Sequence, residues 1–482
     1  MDNRIGALMT GLAGVAGLAV GWMGTQMMWP SPMAGKHNIV MMVVCTLRKD
    51  QTTPYGAPEM ITPFMQSWSE RGATFDSAYA AAPWTRAAST ALWTGRHAIR
   101  VGLTQPNDGV NSSRLSRNVI TLAEHLQGVG YQTVGGTANP NTNKSFGFGQ
   151  GFDQYVRATT RWAKGGQKSP AIAVFEPVLD VVETLDADRP AFLMTMILDP
   201  HEPRNNSRVD RARVHDPAVP PRVNDYRAAV RSTDMRISDY IGRLNDVGFT
   251  EENTWFVLVN DHGEGLNYPA ASQGRGHGNF TFGSTVEMPW LVMGPGIAPG
   301  THISGVASQV DVVPTLMGLA GVEGFEGDGY DWSPRLRGET GAEEPTYAFV
   351  DTWFHESSRA AVYGAETHCH IDFRDPRPEG AGMLPAEACY DVSTDRYGLT
   401  PLEQNDEPML ALLRAWRTES EAQWESWEDK AHVRITQEIQ DQLALLGYVD
   451  EEGEAVEADK AAENAGRGGG RREGRRKGVK KY

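Results

Sequence analysis

The chain has 482 residues, 40% of them hydrophobic, with a formal net charge of −16. That length and apolar content build an enzyme-sized folded body, one large domain with a smaller one. The acidic balance excludes a body that binds nucleic acid, which would need clustered Lys and Arg, and three cysteines exclude a disulfide scaffold or a zinc-ribbon cluster.

Residues 5–28 carry no charge and are long enough to span a hydrocarbon core of ~30 Å as a helix. Arg4 is the only positive residue before the run and no small-x-small cleavage site follows it, so residues 1–35 read as an uncleaved signal anchor with the rest of the protein exported. Cleaved export, giving a secreted or periplasmic protein, is the second reading. Short apolar runs then recur at 37–45 (HNIVMMVVC), 131–136, 191–198 (AFLMTMIL), 255–259 (WFVLV) and 290–293, each with the look of a buried parallel strand. Between them, 121–129 and 226–247 repeat apolar residues at helical spacing. Alternating strands and helices predict an open, mostly parallel sheet covered on both faces, with binding sites beyond the carboxyl ends of its strands.

Polar groups stand where that rule places a site. The first strand ends at Cys45, the second runs into Asn139, the third into Asp199 and His201, and the fourth into Asp261 and His262. With His277 in a Gly-His-Gly stretch, these supply carboxylate and imidazole ligands for a divalent cation. Thr85, in APWTRAASTALWTGR (82–96), sits at a loop-to-helix junction, where it is either a nucleophile or a helix cap. Cys369 and Cys389 flank a Pro- and Gly-rich connection between two strands and form a hairpin-bridging pair if the compartment is oxidising. The end of the chain, RGGGRREGRRKGVKKY (467–482), is glycine-spaced and nearly free of apolar residues, a solvated tail or a contact for a lipid surface.

The segments CTLRKDQTTPYG (45–56), ITPFMQSWSERGATFDSAYAAAPWT (61–85), GFDQY (151–155), DPHEP (199–203), NDHGEGL (260–266), GHG (276–278), MGPGI (293–297) and QVDVVPTLMGLAGV (309–322) closely resemble, in order and spacing, the sulfatases of the alkaline phosphatase superfamily. The resemblance implies an α/β fold with a central mixed, mostly parallel sheet and helices on both faces, plus a smaller C-terminal α+β subdomain. The divisions are 1–35, the N-terminal anchor or signal peptide; 36–335, the α/β domain; 336–450, the antiparallel-sheet and helix subdomain; and 451–482, a disordered basic tail. Within the subdomain, 347–402 reads as strands and loops and 409–427 resembles the family's terminal helix.

The resemblance implies hydrolysis of sulfate esters, or of phosphodiesters, assisted by one or two divalent cations, Ca or Zn/Mn. It puts Thr85 in the nucleophile position, His201 and His277 at the substrate oxygens, and Asp261, His262, Cys45, Asp50 and Asp199 in the metal positions. The family pattern is broken at four places. Thr85 replaces the Cys or Ser that is oxidised to formylglycine, and its β-methyl forbids that aldehyde. Ala87 and Ser89 replace a Pro and an Arg, and Arg86 does not share a helix face with position 89. Cys45 replaces a metal-binding Asp, and a thiolate suits zinc better than calcium. Two further readings stay open: a catalytically inactive protein of this fold that binds a sulfated or phosphorylated glycan, lipid or partner, and a membrane-anchored transferase of phospho-head-groups.

Overall fold

The computed structural model describes residues 37–103, 111–158, 170–204, 208–270, 274–340, 343–354, 357–374, 385–427, 432–446 and 448. The run NIVMMVV forms β1 (Asn38–Val44), buried at every position, as an unbroken apolar strand must be when both faces are covered. It lies inside an eight-stranded sheet ordered β11 (Thr301–Ser308), β2 (Ala73–Tyr79), β10 (Trp290–Met293), β7 (Thr254–Asn260), β1, β6 (Ala191–Ile197), β4 (Gln132–Thr137) and β5 (Gln154–Arg157). The sheet is mixed and mostly parallel. Only β10 runs against its neighbours β2 and β7, which corrects the expectation that residues 290–293 form a parallel strand. Trp290 pairs with Val259, so the connection from β7 stays at the carboxyl end of the sheet and the chain has to run back from there.

Register places the strand ends side by side. Val44 is level with Ile197 on one side and Asn260 on the other, so Cys45, Asp199 and Asp261 leave the sheet at one edge. The two amphipathic stretches are helices. Leu122–Gly128 begins at a reciprocal cap between Thr121 and Glu124, and Pro221–Asp246 starts earlier than its periodicity indicates because Pro221 serves as a first-turn residue. Two small pairs lie apart from this sheet: β3 (Asn111–Ser113) with β16 (His432–Arg434), and β8 (Gly265–Leu266) with β9 (Arg275–Gly276).

The C-terminal subdomain is an antiparallel sheet of β12 (Ala348–Phe354), β13 (Ser357–Tyr363), β14 (Thr367–Asp372) and β15 (Glu387–Asp391). The helix Glu407–Ser426 lays Met409, Leu410, Leu413 and Trp416 on it, against Ala360, Val362 and Ile371. Cys369 and Cys389 are directly opposed on β14 and β15, with Cα atoms 4.0 Å apart, and are joined as a disulfide. Replacing both with alanine is expected to cost about 3 kcal/mol, the chain entropy of a loop of roughly 20 residues, read as a lower urea midpoint for the subdomain.

The helix resembling a terminal one is not the last. The chain returns through β16 to a further helix, Gln437–Leu445, whose Ile439 and Leu443 join the core of the large sheet together with Ile435, Leu446 and Tyr448. No helix among the described residues is long and apolar enough to cross a membrane. The anchor expected at 5–28 and the tail expected at 451–482 lie outside the described residues.

Candidate active site

Asp261 and His262 follow the last residue of β7 and are wholly buried. Two backbone donors fix the carboxylate: Thr46 N at 3.0 Å and His262 N at 2.7 Å both bond Asp261 Oδ1. Its other oxygen, Oδ2, has no hydrogen-bond partner among the described residues. His262 gives its Nδ1 proton to the carbonyl of Gly263 at 2.8 Å, so Nε2 carries the lone pair, and that atom stands 3.4 Å from Asp261 Oδ2. Two buried acceptors facing each other repel unless a positive charge lies between them. Burial pushes His262 down to about 4, more than Asp261 raises it, so the ring does not supply that charge at neutral pH.

Cys45 closes the group. Its Sγ, an Asp261 carboxylate oxygen and a His262 ring nitrogen all lie within 4.8 Å of one another. The orphaned Asp261 Oδ2 and this spacing fit a bound cation, and a sulfur, a nitrogen and an oxygen form a donor set for zinc or a similar transition ion rather than the all-oxygen shell that calcium takes. Burial, with Asp261 beside it, pushes the Cys45 thiol well up, so binding as thiolate displaces a proton. The backbone is strained here: Thr46, β-branched, sits at φ 57°, held by its own hydrogen bond to Asp261 and by Tyr226, whose hydroxyl donates to the Thr46 carbonyl at 2.6 Å.

Thr85 is the first residue of the helix Thr85–Thr94, and Trp84 is its N-cap. The threonine hydroxyl bonds none of the helix N–H groups, so the cap reading is overturned. It lies 3.3 Å from His262 Nε2, 3.8 Å from Cys45 Sγ and 3.4 Å from Asn139 Nδ2, which also lies 3.5 Å from Cys45. On the far side Thr85 Oγ1 is 3.0 Å from the hydroxyl of Tyr448, which in turn is 3.1 Å from His277 Nε2. The His277 ring lies 4.4 Å from that of His262, tilted against it, and 5.2 Å edge-on from that of His201. Its Nδ1 lies 3.5 Å from Glu264 Oε1, and burial pushes both His277 and His201 down to about 4. His201 Nδ1 is tied to the Glu202 carbonyl, and its buried Nε2 has no partner among the described residues.

Thus Thr85, Cys45, Asp261, His262, His277, His201 and Asn139 converge. Asp50 and Asp199 do not join them. The Asp50 carboxylate is taken up by Arg48 at 2.8 Å and by the Tyr397 hydroxyl at 2.7 Å, and Asp199 accepts from Ala171 N at 2.7 Å and pairs with Arg236 at 3.2 Å. Neither belongs to the metal-sized cluster. Arg86 is buried in another direction, bonded to Ser112, to the Ser113 carbonyl and to Asn141, with its guanidinium 3.9 Å over the Phe146 ring. Ser89, one turn after Thr85, leaves its buried hydroxyl without a partner among the described residues. Sequence reasoning missed Glu264, Gln309, whose side chain donates to the carbonyls of Asn260 and Asp261, and Tyr448 as site residues. The first two lie inside the quoted segments, whereas nothing in LLGYVD marks Tyr448.

Comparison with known proteins places the geometry. The sulfatase family model matches residues 37–322, more than half of the chain. Arylsulfatase K of Xenopus laevis is 31% identical over 145 residues, which is 29% of this chain and 26% of that protein. N-acetylgalactosamine-6-sulfatase of Sus scrofa is 23% identical over 369 residues, 65% of this chain and 68% of that protein. A solved structure described as a complex with its substrate D-glucosamine-2-N,6-O-disulfate superposes with a TM-score of 0.66 at 16% identity, covering 82% of this chain and 99% of that one. Curated relatives are thus matched over part of their length, and the structural likeness is one of fold.

Proposed function

For a chain that belongs to the sulfatase family, we propose hydrolysis of sulfate esters with Thr85 as the nucleophile and a divalent cation held by Cys45, Asp261 and His262. The observation that carries this reading is the position of the Thr85 hydroxyl, in reach of both His262 Nε2 and Cys45 Sγ. A bound cation supplies positive charge that lowers the hydroxyl pKa and offsets the charge of the ester.

The chain's own residues do the rest. Thr85 Oγ1 passes its proton to His277, which is neutral at rest, and attacks sulfur, and the bond from sulfur to the ester oxygen breaks. The negative charge on Thr85 is favoured by the Asn139 amide and by the amino end of a ten-residue helix. His277, with Glu264 behind it orienting the ring, hands that proton on to the leaving oxygen, and His201 flanks the remaining oxygens. Water then gives a proton to His277 and attacks sulfur, the bond from sulfur to Thr85 Oγ1 breaks, and His277 returns the proton to Thr85 as sulfate leaves. No aldehyde takes part, and the same residues serve a phosphodiester.

The substrate we infer is a sulfated small molecule or glycan, in keeping with the sulfated sugar bound by the structural neighbour. Export, with anchoring through residues 5–28, is our reading of location; the Cys369–Cys389 bridge supports it, because such bridges persist in oxidising compartments. The Ser89 hydroxyl, without a partner among the described residues, favours a second reading, a protein that binds a sulfated ligand without turnover.

One experiment separates the two. Chelator-treated protein is given nitrophenyl sulfate and bis-nitrophenyl phosphate, alone and with Zn²⁺, Mn²⁺, Mg²⁺ or Ca²⁺ added back. Turnover is expected to return with Zn²⁺ or Mn²⁺ ahead of Ca²⁺, the preference between esters naming the substrate class. If no cation restores turnover of either ester, the hydrolase reading fails and the binding reading takes its place.

A further inference from the structure

Tyr448 lies outside the region that matches the family and the mechanism above has no use for it, yet its hydroxyl occupies the centre of the site, 3.0 Å from Thr85 Oγ1 and 3.1 Å from His277 Nε2. That is where an ester oxygen passing from the nucleophile to the proton donor would have to stand. The phenol ring fills the adjoining space, 5.7 Å from the His277 ring and 6.2 Å from that of His201. Tyr448 is 3% exposed, and behind it Thr85, Asp261, His262 and Cys45 have no accessible surface at all.

We propose that residues 432–446 together with Tyr448 form an autoinhibitory strap, in which the tyrosine takes the place of the substrate and must withdraw before any ester can enter. A tyrosine that assisted catalysis would leave room beside Thr85 for the reacting group. This one uses that room. The strap is attached in a way that lets it leave as a unit. It meets the large domain through a three-residue pairing of β16 with β3, through Ile435, Ile439, Leu443 and Leu446, and through a surface ion pair between Arg157 and Glu438. None of these contributes a strand to the eight-stranded sheet. A strap that competes with substrate from within the chain raises the apparent KM by the inverse of the open fraction and leaves kcat unchanged.

Cys45 gives a readout that needs no turnover. It is the free thiol of the protein, since Cys369 and Cys389 are bridged, and it lies behind Tyr448. Full-length, chelator-treated protein is labelled with a maleimide, and the rate at Cys45 is compared among the wild type, Tyr448→Ala, Tyr448→Phe and a His432→Cys/Ser113→Cys variant, whose oxidised form locks β16 to β3 at a paired position. Tyr448→Ala is expected to label at least tenfold faster than the wild type, Tyr448→Phe to fall between them, and the oxidised double variant at least tenfold slower than the same protein reduced. If locking the strap leaves the rate unchanged and Tyr448→Ala labels no faster than the wild type, the strap reading is overturned. Should Tyr448→Ala fail to fold, the locked and unlocked forms decide alone. On nitrophenyl sulfate the same order is expected in KM, with kcat constant. Labelling that follows the strap while no variant turns over either ester upholds the strap and rejects the hydrolase.

Discussion

Thr85→Ala is expected to lower kcat by about a thousandfold or more while moving the unfolding transition little. The Thr85 hydroxyl meets His262, Cys45, Asn139 and Tyr448, and none of the helix backbone, so removing it takes away no cap. Its loss from the fold is one set of buried side-chain hydrogen bonds, on the order of 1 kcal/mol net. Its loss from the reaction is the atom that bonds to sulfur. Thr85→Ser keeps that oxygen and gives up only a methyl group, so it is expected to retain much of the activity, and the contrast between the two variants separates a nucleophile from a filler. The measurement is turnover of whichever nitrophenyl ester the cation assay selects, alongside a thermal melt of each variant. Equal turnover by the wild type and Thr85→Ala would remove the nucleophile from the mechanism. A large drop in melting temperature for Thr85→Ala alone would assign the threonine to the fold.

Much of the scaffold was legible because burial leaves a periodic mark. The unbroken apolar runs at 37–45, 191–198 and 255–259 became β1, β6 and β7, and the strand-end rule brought Cys45, Asn139, Asp261 and His262 together. What failed was direction and ownership. Nothing in WLVM says that β10 runs backwards, because a four-residue strand carries no polarity in its side chains and its direction is set by where the connection leaves it. Asp50 and Asp199 have the residue type of ligands, but the letters do not show that Arg48 and Arg236 claim them first. The strap was illegible for a different reason. Ile439 and Leu443 mark an amphipathic helix, yet periodicity states that a face is buried without stating against what, and a lone tyrosine three residues past the helix carries no signal of its destination.

Asp311→Ala is expected to destabilise the large domain by about 3–5 kcal/mol, the penalty of leaving buried donors without their charged acceptor. Asp311 is 3% exposed, and three N–H groups converge on it: Ser308 N and Trp332 Nε1 on Oδ2 at 2.8 and 2.9 Å, and Tyr330 N on Oδ1 at 2.8 Å. Asp311→Asn keeps one oxygen and turns an amide NH₂ toward N–H donors, so it is expected to recover less than half of the loss. Burial raises the Asp311 pKa to about 6, against those donors. The folded-state value therefore lies above the ordinary 3.8, and this group's linked contribution is full below about pH 4 and is lost as pH rises through 6. The stability gap between wild type and Asp311→Ala should accordingly narrow over that window. The consequence reaches the site, because Asp311 closes the turn that carries Gln309. The Gln309 side chain donates to the carbonyls of Asn260 at 3.1 Å and Asp261 at 2.8 Å and accepts from Ala81 N at 3.1 Å, tying the end of β7 to the segment that leads into Thr85. Loosening that turn should lower turnover at temperatures where the variant is still folded, measured as kcat beside urea unfolding. A loss of stability with undiminished kcat would show that Thr46 and the β1 end hold Asp261 without help from Gln309.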